Sequence, residues 1–154
     1  MKNVELIAVG DLKFAPLKEL EKKYGQSINY YVKFSIKNLK DIKAPHEQTV
    51  REKEGEMIRK ALSEKDFVIA LDRRGRKMDS AEFARFLSEK LSYYAGRIVF
   101  LIGGYSGLSP ALNPRIQERI SFSDMTFPHD LFRILFLEQL YRALTIIHGL
   151  PYHR

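Results

Sequence analysis

Two uninterrupted apolar pentamers, Phe67-Val-Ile-Ala-Leu71 and Ile98-Val-Phe-Leu-Ile102, constrain most tightly what this chain can fold into. A strand with one wet face alternates apolar and polar residues, whereas a strand apolar at every position needs cover on both faces. Helices on either side of a parallel sheet give that cover, and the flanking sequence supplies them. Val4 to Val9, closed by Gly10, reads as a further strand, and Ile28 to Ile36 as another. Between them Lys13 to Tyr24 carries Leu17, Leu20 and Tyr24 at helical spacing, with Gly25 as the stop. His46 to Leu62 reads as a solvated helix loosened near Gly55. Asp72 to Lys77 reads as a basic turn, and Asp79 or Ser80 caps a helix to about Leu91. Ser109-Pro110 opens a short helix, a strand near Arg119 to Phe122 follows, and Phe127 to His148 is one long helix. Strands alternating with helices predict the α/β class with a mostly parallel sheet. No repeat or linker divides the 154 residues, so a single domain over 1–154 is the expectation.

The chain has no cysteine, which excludes disulfides and thiolate metal sites and suits a reducing cytoplasm. His46, His129 and His148 lack a metal-ligand spacing, so no metal is expected. The opening Met1-Lys-Asn-Val-Glu5 lacks the apolar run of a signal peptide, and no segment is apolar for long enough to span a membrane. Net charge is +7. A basic surface favours polyanions, with nucleic acid the commonest such partner.

In open parallel sheets ligands bind outside the carboxyl ends of the strands. Three loops leave such ends here, after Leu71, after Ile102 and after Phe122. The middle one begins Gly103-Gly104-Tyr105-Ser106-Gly107. Glycine lets a flat ring approach the backbone and opens positive φ. The run is neither the dinucleotide fingerprint nor a phosphate-binding P-loop, which disfavours NAD and ATP. It fits a nucleoside without phosphates, or simply a tight turn packing a helix on the sheet.

The terminal helix is apolar on more than one face, and an outer helix of a small domain has only one face against its sheet. The second face is expected to meet another copy of the chain across a two-fold axis. Glu138 and Arg142 stand i, i+4 in the better orientation for an ion pair. Gly149 fits a C-cap and Pro151 prevents continuation, so Tyr152, His153 and Arg154 turn off the helix. In a dimer they would reach the neighbouring subunit's glycine loop.

Leu71-Asp72, Phe100-Leu-Ile-Gly-Gly-x-x-Gly-Leu108, Phe122-Ser-x-Met-Thr-Phe-Pro-His129, Arg133, Glu138-Gln-Leu-Tyr-Arg-Ala143 and the closing Tyr-His-Arg together resemble the RlmH (YbeA-like) group of SPOUT methyltransferases. Ala8-Val9-Gly10 and Lys53-Glu-Gly-Glu56 match as well, so the resemblance spans the chain. It implies a SPOUT-type parallel sheet flanked by helices, a C-terminal trefoil knot and a homodimer. It implies S-adenosyl-L-methionine as methyl donor and, as substrate, N3 of a pseudouridine in 23S rRNA within the ribosome. The implied cofactor contacts are Leu71, Gly103, Phe122, Ser123, Asp124, Met125, Thr126 and Phe127. The implied catalytic and RNA-docking residues are Tyr152, His153 and Arg154, with Arg142. Tyr105 and the run Arg73-Arg74-Gly75-Arg76 depart from the family pattern.

The imide N–H of such a base has a pKa near ~10 and histidine one near ~6.5, so proton transfer to His153 alone is uphill by roughly 5 kcal/mol. A guanidinium of Arg154 or Arg142 beside the ring carbonyls would lower that cost, with His153 accepting or orienting the proton and Tyr152 stacking on the base. Two other readings stay open at this stage: a non-catalytic RNA- or ribosome-binding dimer, and a SPOUT methyltransferase acting on another RNA such as tRNA.

Overall fold

The structure is a computed structural model and describes residues 1–154. In chain order its elements are β1 (Asn3–Val9), α1 (Ala15–Ile28), β2 (Lys33–Leu39), α2 (Glu47–Ala61), β3 (Phe67–Lys77), α3 (Ser80–Tyr93), β4 (Ile98–Ile102), a 3-10 helix (Pro110–Arg115), β5 (Glu118–Ser121) and α4 (His129–Ile147). The five strands form one sheet in the order β2-β1-β4-β3-β5, and every pairing is parallel. The expected class and the parallel sheet flanked by helices are therefore observed.

The two pentamers lie beside each other in the middle, with Ile69 opposite Phe100. Alternation along the strands divides their side chains between two cores. Leu6, Ala8, Ile69, Phe100 and Ile102 face α1, α3 and α4, forming the larger core. Ile7, Val9, Val68, Val99 and Leu101 face Ile58 of α2 and Leu112 of the 3-10 helix. Phe100 is wholly buried, with the Phe136 ring 4.8 Å from its own and the Phe83 ring 6.2 Å away. Each such side chain contributes about 2 kcal/mol through burial.

Helix α4 packs between α1 and α3 and is pinned by a buried guanidinium. Arg133 donates to the Gly10 carbonyl at 2.5 Å and to Asn38 Oδ1 at 2.6 Å, and it pairs with Glu21 at 3.3 Å. One side chain thus ties the helix to the carboxyl ends of β1 and β2 and to α1. No helix is long and apolar enough to cross a membrane.

Several boundaries differ from the sequence reading. Helix α1 does not stop at Gly25, which is half-exposed with open space around it, but runs on to Ile28. Asn29 ends it instead: its Nδ2 donates to the Gly25 carbonyl and its Oδ1 accepts from Phe34 N–H, both at 2.9 Å. That moves the start of β2 from Ile28 to Lys33. Helix α2 passes through Gly55 unbroken, and the glycine serves packing instead: an added Cβ would be 2.6 Å from Ser109. The expected turn at Asp72 to Lys77 is instead a continuation of β3 past a register shift between Leu71 and Arg76. Gly75 allows it: a Cβ there would meet the Arg119–Ile120 backbone at 2.6 Å. The cap of α3 is as expected, a reciprocal pair between Asp79 and Glu82.

Candidate active site

The irregular stretch of β3 at Leu71–Arg74 and the loops after β4 and β5 converge on one cavity of about 350 Å³ at the carboxyl edge of the sheet. That volume falls in the range of small-molecule pockets, roughly 300–1,000 Å³. Leu71, Ile102, Leu108, Phe122, Phe127 and Phe132 supply apolar walls. Phe127 lies nearly parallel to Phe132, and Phe122 is 5.8 Å from Phe132 between ring centres.

The glycine loop forms one wall. Gly107 has φ +81° and donates to the Gly104 carbonyl at 3.0 Å, closing a turn that an L side chain would strain. Gly103 and Gly104 do not have positive φ; closeness is what requires them. A Cβ on Gly103 would stand 2.9 Å from the Leu108 side chain, and one on Gly104 would stand 2.6 Å from Glu54 Oε1. Helix α2 carries that carboxylate and holds the loop from behind, with Arg51 Nε donating to the Ser106 carbonyl at 2.8 Å. Glu54 is 2 % exposed and its Oε1 has no hydrogen-bond partner. Burial, reinforced by Asp41, raises its pKa above the ordinary carboxylate range.

The loop after β5 is braced internally, with Met125 N–H donating to Ser123 Oγ at 3.0 Å. Arg73 reaches across from β3 to Thr126 Oγ1 at 3.2 Å. Asp72 accepts from the Arg74 backbone N–H at 2.9 Å and pairs with Arg119 at 3.3 Å. Burial works to raise its carboxyl, but the Arg74 backbone and guanidinium, with Arg119, outweigh it and hold the group below the usual range.

Of the expected cofactor residues, Leu71, Gly103, Phe122, Ser123, Met125, Thr126 and Phe127 line this cavity, and Asp124 does not. Asp124 instead forms an ion pair with Lys77. The lining adds Asp72, Arg73, Arg74, Tyr105 and, from the first turn of α4, His129. Asp72 and Arg73 directly follow Leu71 and lie within β3 at its register shift, where a reading of 72–77 as a turn did not look. The Glu54–Gly104 contact joins α2 to the β4 loop and has no signal in local sequence beyond the Glu-Gly pair itself.

The other expected residues gather elsewhere. Gly149, at φ +68°, ends α4; Gly149 N–H donates to the Ile146 carbonyl and Leu150 N–H to the Thr145 carbonyl, at 3.1 and 2.9 Å. That pair of bonds is a Schellman motif, and it folds the tail back over the last turns of α4. Glu138 Oε1 accepts from Arg142 at 2.5 Å and from the Tyr152 hydroxyl at 3.0 Å. Arg142 lies over the Tyr152 ring, 4.8 Å from its centre, and reaches His153 Nδ1 at 3.1 Å. Burial and the bond to Glu138 push the Tyr152 phenol up to about 12. Arg154 is exposed.

Cavity and cluster lie toward opposite ends of α4. His129 and Phe132 are at the cavity, whereas Arg142 is 13 residues beyond His129, about 20 Å along the axis at 1.5 Å per residue. None of Arg142, Tyr152, His153 or Arg154 lines the cavity of its own chain.

A parallel sheet whose strand-end loops enclose an apolar, glycine-walled cavity at the start of a long terminal helix defines a class, and over residues 1–153 the chain matches the family described as "Predicted SPOUT methyltransferase", to which it belongs. It is a methyltransferase. It is 39 % identical to the ribosomal RNA large subunit methyltransferase H of Clostridium acetobutylicum, over 99 % of both chains. It is 40 % identical to the proteins of the same name from Carboxydothermus hydrogenoformans, over 98 % of this chain and 99 % of the relative, and Limosilactobacillus reuteri, over 99 % of each.

Proposed function

We propose that the protein methylates N3 of a pseudouridine in 23S rRNA of the large ribosomal subunit, with S-adenosyl-L-methionine as donor, as a cytoplasmic, knotted homodimer whose residues 1–154 work as one domain. The reading rests on one observation above all: Leu71 of β3, Gly103 in the loop after β4, and Phe122 to Phe127 apart from Asp124 in the loop after β5 surround a single cavity. The names of the relatives, ribosomal RNA large subunit methyltransferases, support the substrate.

The cavity fits the donor. Leu71, Ile102, Leu108 and the phenylalanines suit an adenine ring, and the absent Cβ of Gly103 lets Leu108 pack close against the backbone in that wall. The ionised Asp72 offers an acceptor to hydroxyls or to a cation. When bound, S-adenosyl-L-methionine supplies a methyl group activated by its sulfonium. The protein's remaining tasks are to place the base in line and to stabilise its anion.

The cluster around Glu138 suits the second task. A guanidinium can only donate, so the Arg142 contact makes His153 Nδ1 the acceptor. The imidazole is then neutral with its proton on Nε2. In that state it offers an N–H to a ring carbonyl of the target and orients the base, while the imide proton passes to solvent water. Arg142 is engaged by Glu138, His153 and the Tyr152 face, which leaves Arg154 as the cation for the developing imide anion. The roughly 20 Å between Arg142 and the start of α4 keeps these groups from the cavity of their own chain. A two-fold partner would bring its tail to that cavity. Leu131 and Leu135, both about 40 % exposed one turn apart on α4, offer an apolar seam for it.

Isotope-labelled donor incubated with large subunits from cells lacking this enzyme tests the reading. Label at one pseudouridine of 23S rRNA supports it; label in tRNA, or none, refutes it. His153→Gln, which keeps an N–H donor, retains more turnover than His153→Ala if the ring orients the base; equal losses refute that role.

A further inference from the structure

A second cleft, of about 440 Å³, adjoins the cavity and shares Asp72, Arg74 and Leu108 with it. Arg119 and Asn113 form its far side. We propose that this cleft binds a backbone phosphate of the RNA substrate through Arg74 and Arg119, while Tyr105 at the mouth of the cavity stacks on a base of the same strand. The inference rests on the reading that the protein methylates rRNA, and assigns the place where the RNA lies.

Charge is the first argument. Two guanidiniums share one carboxylate: Asp72 pairs with Arg74 at 3.4 Å and with Arg119 at 3.3 Å. A concave surface with one surplus positive charge suits an anion, and the planar guanidinium suits phosphate in particular. Preorganisation is the second. Arg119 is also fixed by Asn113 at 2.5 Å, and the close packing of Gly75 on the Arg119 backbone sets the spacing of β3 and β5. Availability is the third. Along the basic run, Arg73 is bonded to Thr126, Arg76 lies on the Phe86 ring and Lys77 pairs with Asp124. Arg74 keeps 82 % of its side chain in solvent. Tyr105 is 69 % exposed on the glycine loop, an aromatic surface presented to solvent beside the cavity. Arginines beside an exposed ring are the elements with which proteins hold unpaired RNA strands.

The experiment measures KM and kcat on large subunits and donor affinity by calorimetry for wild type, Arg74→Ala, Arg74→Lys, Tyr105→Ala and Tyr105→Phe. Arg74 and Tyr105 are exposed, so the variants fold. The expected result for Arg74→Ala and Tyr105→Ala is a rise in KM for the subunit of about tenfold, well beyond any accompanying change in donor affinity. Tyr105→Phe retains most of the wild-type affinity, Arg74→Lys retains part of it by keeping the charge without the planar fork, and Arg74→Ala lowers the salt slope of RNA binding by about one. An unchanged KM overturns the inference. So does a loss of donor affinity in step with activity, which would assign Arg74 to the donor's carboxylate. Wild-type protein inactive on large subunits but able to bind the donor would overturn the underlying reading instead.

Discussion

Glu54 is the residue with the clearest cost. It sits behind the glycine loop with an oxygen that has no partner, and burial raises its pKa. A carboxyl whose folded pKa lies above its unfolded value of about 4.5 stabilises below that value and loses the contribution as pH rises through the folded pKa. At neutral pH the native state therefore bears a penalty. Glu54→Gln keeps the shape without the charge, so its melting temperature should exceed that of wild type by more at pH 7 than at pH 4.5. A constant difference at both pH values would show that ionisation of this group does not matter. The same contact means that a larger residue at position 104 has to displace the carboxylate.

Among the elements, α4 with its terminal turn carries the most consequence. Gly149 takes a left-handed backbone that an alanine adopts at a cost of about 1 kcal/mol. Gly149→Ala should lower stability by that amount in urea titration, yet lower turnover further, because the turn aims Tyr152, His153 and Arg154. Loss of activity no greater than the loss of stability would mean the tail needs no aiming. The expected stop at Gly149 and the break at Pro151 were readable because both act through the backbone. So were the two central strands, since a continuous apolar pentamer admits few placements. Gly25 misled because a half-exposed helix position with open space around it tolerates glycine, and the true stop lies in the Asn29 side chain bridging helix and strand. Residues 72–77 misled because basic residues around a glycine look like a turn, whereas that glycine admits a neighbouring strand. The cavity lining was legible through strand ends and family resemblance. What lay outside local reading was contact between distant segments: Glu54 under Gly104, Arg133 on Gly10, Tyr152 on Glu138.

For the whole molecule the central expectation is pairing. Leu135→Glu puts a charge in the exposed apolar seam of α4. Light scattering should find the wild type as a dimer and this variant as a monomer, with donor affinity reduced and turnover lost. A wild type that stays monomeric at micromolar concentration would remove the composite site. If the pairing holds, the length of α4 has a genetic consequence. Damage to the glycine loop and damage to the tail would then fall in different sites of a mixed pair. Chains carrying Gly103→Trp and chains carrying Arg154→Ala would each be inert alone. Mixed and allowed to exchange, they should regain activity, since each heterodimer assembles one intact centre from the undamaged end of each chain.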